Sequence, residues 1–582
     1  MTKFEILKRI LGACALSVAA VGFAGSACEK QNRTNPVTET AQQVPNPTHT
    51  GSQTAAQNDV VKPDDVGPAA PALFVVSGLK GYTEPCGCTI DIMLGGIDRI
   101  VRYANDASKL YPASALVDGG DLFFEHAKYD DAQLPQERAR SEVVAAALTR
   151  LKPVFTVPGE LDFALGADYY TQIIGKSGIK PYGGNLVIKG ETLPASKVVE
   201  LDGKRVLLIA VVEPALYEGL PDLKISDPDS AIADAIKVAG PHDVEVIVAH
   251  GGLAFVKERL VAHPSIDFGV VGHNPRETDQ VDAAGGGYTL EAHDQGRYFG
   301  ILKLYVQPND ETFVNASEGS KAELENIQKQ IAHVDDSLQK MPPATQGNES
   351  PMVLSLRKRL TELNGRLQKL KNASVAVPLG ESSFLWRSIA MEPGLQVDAD
   401  IETTRLAYNK SLKALSLTVE RVIPPVAAGE AFYIGTDQCA TCHAQEYGVW
   451  QTTAHSRAWE TLTARDKDFD QSCVGCHSVG YEKPGGSVVG QFQYPASLQA
   501  EGTDTEVKWE KDLRNVGCEN CHGPGSLHRL APVDEKGVPQ HISKGSGAQT
   551  CMQCHVPAHS PRFDYETYVP RITGKGHPLS SR

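Results

Sequence analysis

Through the first half of the chain, short apolar runs alternate with amphipathic stretches. Leu73–Val76, Ala115–Val117, Val154–Val157, Val206–Val211, Val244–Ala249 and Phe268–Val271 are rich in β-branched and aromatic side chains and read as buried strands. Between them, 136–151 and 229–239 carry apolar residues at helical spacing, so residues 71–307 predict an α/β layered domain. Further on, Leu324, Ile327, Ile331, Val334, Leu338 and Met341 step by threes and fours, and so do Val353, Leu356, Leu360, Leu363, Leu367 and Leu370. Two heptad seams on either side of Pro342-Pro343 predict an antiparallel coiled-coil hairpin over 318–372, or else a surface for a homodimer. Residues 373–430 return to alternating apolar positions, with Phe384 and Trp386, and predict a small β unit. From 431 to 582 apolar residues thin out, and something other than side chains must supply the core.

Charge and the chain ends narrow the setting. The 582 residues carry 71 acidic against 56 basic side chains, a formal charge of −15, which argues against nucleic acid and against an anionic membrane surface as partners. Lys3, Lys8 and Arg9 precede an apolar run from Ile10 to Ala24, and Gly25-Ser26-Ala27-Cys28 follows, so residues 1–28 read as an export signal. Cys28 is the candidate for lipidation, with plain cleavage nearby as the alternative. Residues 29–70, rich in Pro, Thr, Gln and Asn, read as a disordered tether. An exported protein, in the periplasm or cell envelope and attached to the membrane by a lipid anchor alone, is the expectation.

One pentapeptide pattern recurs four times in the apolar-poor region: Cys439-Ala-Thr-Cys442-His443, Cys473-Val-Gly-Cys476-His477, Cys518-Glu-Asn-Cys521-His522 and Cys551-Met-Gln-Cys554-His555. C-x-x-C-H attaches c-type haem: two thiols three positions apart reach the two vinyl groups of one porphyrin, and the adjacent histidine faces the iron. Zinc bound by cysteine pairs is the competing reading, but it does not explain a histidine after every second cysteine. Four covalent haems therefore stand as the expected cofactors. They would form the core of a mainly α domain over 431–582, which should not fold without them.

The same region resembles the tetrahaem cytochrome c-554 family. The likeness rests on Tyr433-Ile-Gly-Thr-Asp-Gln-Cys439, on Tyr447 and Trp450 leading to His455-Ser-Arg-Ala458, on Gly517-Cys-Glu-Asn-Cys-His-Gly-Pro-Gly-Ser-Leu-His528, and on Phe563-Asp-Tyr565 with Gly576-His577. It implies electron transfer between redox donor and acceptor partners, and it points to His455, His528 and His577 as distal iron ligands. His541 and His559, in loop-like sequence, are either further ligands or plain surface residues. The family also implies that one haem can lack a distal ligand, which would leave a site for a small nitrogen or sulfur compound.

The strand ends of 71–307 carry a second set of polar residues. Gly120-Asp121, Gly159-Glu-Leu-Asp-Phe-Ala-Leu-Gly166, His250 and Gly272-His273-Asn-Pro275 resemble the motifs of calcineurin-like metallophosphoesterases, in the 5′-nucleotidase branch. The resemblance implies a two-metal phosphohydrolase, which needs a full cage of ligands. Here Gly78 and Lys80 stand where that family has Asp and His, Glu160 replaces an asparagine, Leu161 the catalytic histidine, and Pro275 the last histidine. Asp121, His250 and His273, with Glu160 as a fourth, would hold one residual divalent metal at most, and phosphatase activity is doubtful. Cys86-Gly-Cys88, expected at the mouth of that site, is a candidate redox pair.

The chain thus reads as multidomain: a metallophosphoesterase-like α/β domain, a helical hairpin with a small β unit, and a haem-packed multihaem cytochrome c domain.

Overall fold

Alternation along the strand Lys204–Val212 sets the layering. Val206, Leu208, Ala210 and Val212 face a core shared with Phe74, Val117 and Phe155 of a second sheet, while Leu207, Ile209 and Val211 face Ile232, Val256 and Leu260 on helices. A strand buried on both faces has no polar side to offer, which is why these runs are continuously apolar. The structure is a computed structural model that describes residues 70–86, 93–276, 281–308, 310, 312–316, 321–339, 351–372, 380–499, 506–535, 540–543, 547–556, 559–560 and 563–574.

The first sheet has the strand order 314–315, 383–390, 298–305, 72–76, 114–118, 155–156, and its last three strands run parallel. The second has the order 283–284, 287–291, 268–271, 244–250, 204–212, 196–201, parallel through its four central strands. Helices α1 (Ile97–Leu110), α2 (Leu134–Leu151) and α3 (Ala167–Ser177) belong to the first half of the domain. Helices α4 (Pro228–Val238) and α5 (Leu253–Ala262) cover the outer face of the second sheet. The expected α/β domain is therefore two face-packed sheets with helices outside them.

Helices α6 (Lys321–Gln339) and α7 (Pro351–Asn372) bury their seams against each other through Ile327, Val334, Leu363 and Leu367. The expectation of a small β unit over 373–430 is corrected. Ser383–Ala390 is a single strand that joins the first sheet beside Tyr298–Tyr305, and an 18-residue helix, α8 (Ala399–Ser416), follows it. Phe384 and Trp386 alternate because one face of that strand completes the inter-sheet core. Asp398 caps α8, accepting from the backbone N–H of Asp400 and Ile401 at 3.2 Å each.

Beyond α8 come short helices: α9 (Ala444–Thr452), α10 (Ala458–Thr463) and α11 (Gln471–Val474), then a two-stranded hairpin (493–499 with 506–512) and four further helical segments. None of the nine residues of α9 is buried. The largest apolar cluster in this part joins only Trp459, Leu462, Val474, Val489 and Phe492, with Phe469, Cys473 and Tyr481 at its edge. Among the described residues no helix is long and apolar enough to cross a membrane.

Candidate functional site

Each haem-attachment sequence is presented by a helix end or a tight turn. Cys439 closes a 3-10 turn before α9, Cys473 lies in α11, Cys518–His522 is itself a helix, and Cys551 ends another. Of the eight motif cysteines, Cys442 is exposed and the other seven are half-buried. The motifs come together in pairs: the thiol of Cys439 lies close to that of Cys518, and that of Cys476 close to that of Cys554.

The histidines test whether a haem fits. An iron between two imidazoles sets their ring centres about 6 Å apart, from about 2 Å per metal–nitrogen bond and roughly 1 Å from each nitrogen to its ring centre. The rings of His443 and His528 lie 6.3 Å apart, and those of His455 and His555 6.2 Å apart. Both pairs match that span, and both join a motif histidine to an expected distal one. Tautomers agree as well. The Nδ1–H of His477 donates to Ala458 O at 2.6 Å, that of His522 to Ser543 O at 2.9 Å and that of His528 to Gln540 O at 2.8 Å, leaving each Nε2 lone pair for a metal. Burial, together with His555 and His477, pushes the His455 imidazole down to about 4, so it is neutral and able to ligate at pH 7. Zinc fits less well. Among the described residues no group of three or more Cys, His, Asp or Glu converges in this domain.

Such convergence occurs in the α/β domain. Asp121, Glu160, His250 and His273 offer ligand atoms within 4.8 Å of one another. All four lie at the C-terminal ends of parallel strands, two from each sheet, so the cluster sits where the two sheets meet. Close backbone approach makes this possible: a Cβ on Gly272 would lie 2.1 Å from Gly119 O, and one on Gly159 2.1 Å from Asp121 Oδ1. Asp121 holds a left-handed φ of 55°. His250 donates from Nδ1 to Gly119 O at 2.7 Å and places Nε2 2.6 Å from Glu160 Oε2 and 3.6 Å from Asp121 Oδ1. Burial opposes charge on His250, but the carboxylates of Asp121 and Glu160 outweigh it and raise its pKa to about 9. His273 Nδ1 lies 3.3 Å from Glu160 Oε1. Asp121 Oδ2 and His273 Nδ1 are buried without a hydrogen-bond partner, as expected of donor atoms shaped around an ion. Lys80 stands beside the cluster, its Nζ donating to Asn274 Oδ1 and Asp294 Oδ2 at 3.1 Å each.

Other expected residues are placed differently. Cys28, Cys88 and His577 lie outside the described residues, as does the side chain of Cys86. The Cys86 loop was expected at the mouth of the metal cluster. Its described base, Pro85 and Met93, instead borders a cavity of about 290 Å³ shared with Arg405 and Asn409 of α8 and with Ala464–Asp466 of the haem domain. His541 is exposed, and His559 rests against Tyr82 with ring centres 6.3 Å apart.

Two carboxylates escaped the sequence reading. Glu519, between the third pair of cysteines, is buried and accepts from Ile434 N at 2.9 Å and from Gly435 N and Gly525 N at 2.8 Å each, tying the third motif to the segment before the first. Leaving those donors unpaired would cost about 1–3 kcal/mol apiece. Asp470, three residues before Cys473, is met by Arg140 of the α/β domain. In a sequence both read as ordinary surface acids; only a Glu inside a C-x-x-C pair carried any signal.

The family model for cytochrome c554 and c-prime matches residues 438–523. Cytochrome c-554 of Nitrosomonas europaea is 31% identical over 185 residues, which cover 25% of this chain and 70% of that protein. Among solved structures, the chain is similar to a 5′-nucleotidase precursor of Thermus thermophilus (14% identity, TM-score 0.41, covering 76% of this chain and 88% of that one). It is also similar to the sulfate thiohydrolase SoxB of the same organism, at 15% identity and TM-score 0.36. There the match covers 42% of this chain and 55% of the other, so this chain spans about half of that protein. Neither likeness extends to an activity or a substrate. The attachment motifs, the paired imidazoles and the match across 70% of a relative converge on one statement: through its C-terminal domain, this chain belongs to the cytochrome c-554 family.

Proposed function

We propose that the protein is an exported electron carrier with four c-type haems, attached at Cys439/Cys442, Cys473/Cys476, Cys518/Cys521 and Cys551/Cys554. His443, His477, His522 and His555 are the proximal ligands, and the α/β domain serves as a scaffold without phosphatase turnover. The observation that carries this reading is the spacing of His443 from His528 and of His455 from His555, 6.3 and 6.2 Å. Bound haem supplies one-electron exchange at an iron, and a second imidazole favours electron transfer over ligand chemistry. His528 then serves the first motif and His455 the fourth. Carbonyls of Ala458, Ser543 and Gln540 hold three of the imidazoles in the ligating tautomer. Residues 1–28 direct export, Cys28 takes a lipid, and donor and acceptor are redox partners outside the cytoplasm.

The test is an electron paramagnetic resonance spectrum of the oxidised protein with its haems attached. Low-spin signals alone are expected. A high-spin signal that shifts when nitrite, hydroxylamine or sulfite is added would instead identify an oxidoreductase with an open iron.

A second reading concerns the α/β domain and is favoured by the unpartnered Asp121 Oδ2 and His273 Nδ1. Two imidazoles and two carboxylates make a donor set for a single divalent ion of the zinc, manganese or iron class, and the Lys80 ammonium beside it disfavours a second. Equilibration of the haem-loaded protein with Zn(II), then elemental analysis, should find one zinc per chain and none in an H250A/E160Q variant. Two per chain in the wild type would revive a dinuclear phosphohydrolase.

A further inference from the structure

The second haem-attachment sequence is held by the α/β domain. Residues 469–472, which lead directly into Cys473, receive hydrogen bonds from α2 and the turn before it. Gln136 Nε2 donates to Phe469 O at 2.7 Å, and Gln136 Oε1 accepts from Gln471 N at 3.1 Å. Gln471 Nε2 returns a bond to Ala132 O at 2.7 Å. Arg140 Nη2 donates to Asp470 Oδ1 and to Ser472 Oγ, at 3.2 Å each. Asp470 in turn caps α11: its side chain accepts from Ser472 N at 3.1 Å, and its carbonyl accepts from Cys473 N at 2.9 Å. Lys467 Nζ closes on the other carboxylate oxygen at 3.0 Å. Tyr408 of α8 accepts from Arg140 Nε at 3.2 Å and lies under Lys467. Glu137, 3.3 Å from Arg140, and Glu84, which faces Lys467, add negative charge to the group. Asp470 and Arg140 are 1% and 7% exposed, so these charges act through protein rather than water.

From this geometry we infer that Arg140 and Asp470 are positioning residues for the second haem, and that their opposite charges set its reduction potential from within the α/β domain. The inference rests on the proposed tetrahaem reading. Arg140 and Asp470 both bond to the Ser472 hydroxyl, at 3.2 and 2.6 Å, and that hydroxyl lies 4.0 Å from the Cys473 sulfur, one of the two atoms through which that haem is attached. Reduction removes one positive charge from the iron, so a nearby cation favours the reduced form and a nearby carboxylate the oxidised form. A latch that merely held the helix would give no sign to either substitution. A charged latch gives them opposite signs, whatever the net charge of the group. The fusion then has a purpose: the α/β domain holds one step of the electron path in place and biases it.

The test is a redox titration of the full-length, four-haem protein, resolved by optical and paramagnetic spectra. The component belonging to the second haem is marked by His477→Met, since a methionine ligand raises the potential. R140Q is expected to lower that component, and D470N to raise it, each by about tenfold in the reduction equilibrium, ~59 mV for one electron. R140K should stay near the wild type, and the other three components should hold still. Shifts of one sign in both variants, or none, would overturn the inference while leaving the tetrahaem reading intact. A protein with no haem at Cys473/Cys476 would sink that reading itself. If R140Q does not fold, D470N, which loses charge without losing shape, carries the test: a fall or no change overturns the inference.

Discussion

Replacing His528 with alanine is expected to leave all four haems attached and to turn one low-spin haem into a high-spin haem open to ligands. The first attachment sequence already supplies its own thiols and its proximal His443, so attachment does not need His528. Across from His443, at 6.3 Å between ring centres, His528 is held in place by its Nδ1–H bond to Gln540 O. Removing it leaves the sixth position of one iron empty, and such an iron binds small molecules. The paramagnetic spectrum should lose one low-spin signal and gain a high-spin one, and carbon monoxide should bind one haem of the reduced variant. His455→Ala should do the same to a different haem, because its partner is His555 at 6.2 Å. If both variants changed the same signal, or neither did, the ligand pairing would be wrong.

The second large effect concerns the haem domain without its haems. Expressed where haem cannot be attached, the chain should keep a folded α/β domain and lose the structure of residues 431–574. The two parts differ in what they bury. In the α/β domain two sheets and their helices enclose a continuous apolar core that includes Phe74, Phe123, Phe155, Phe268, Phe299 and Phe384, all at 0 or 1% exposure. The haem domain offers the five-residue cluster around Trp459 and a first helix with nothing buried. Polypeptide this poor in apolar contacts cannot offset roughly 1–2 kcal/mol of backbone entropy per residue, and bound groups must make up the difference. Limited proteolysis read by mass spectrometry should find cuts spread across 431–574 and survival of the α/β core, including the strand Ser383–Ala390 and α8 that complete it. Equal protection of both regions would mean that the haem domain folds on side chains alone.

Much of this was legible in the chain because its strongest signals are local. A pentapeptide repeated four times names its chemistry without a fold around it. Continuous apolar runs such as Val206–Val211 declare a strand buried on both faces. Asp121, Glu160, His250 and His273 were readable as a group because each follows a strand, and parallel strands bring such ends together. What stayed hidden depends on contacts distant in sequence. The alternation around Phe384 is the same for a strand in a small separate unit as for one added to a sheet formed 80 residues earlier, and α8 lacks the strong seam that reveals α6 and α7. The base of the Cys86 loop is drawn to α8 because Glu84 binds Arg405 and Asn409, partners more than 300 residues away, and Arg465 of the haem domain meets it at Met93. Arg140 and Asp470 are 330 residues apart, and no periodicity marks either one.

The most direct test of the whole account is the intact mass of the mature protein, measured with its haem absorbance. Four haems per chain, each joined through two thioethers, with all eight motif thiols unreactive to alkylation, is the expected result. A chain with free motif thiols, or one carrying zinc in place of haem, would contradict it.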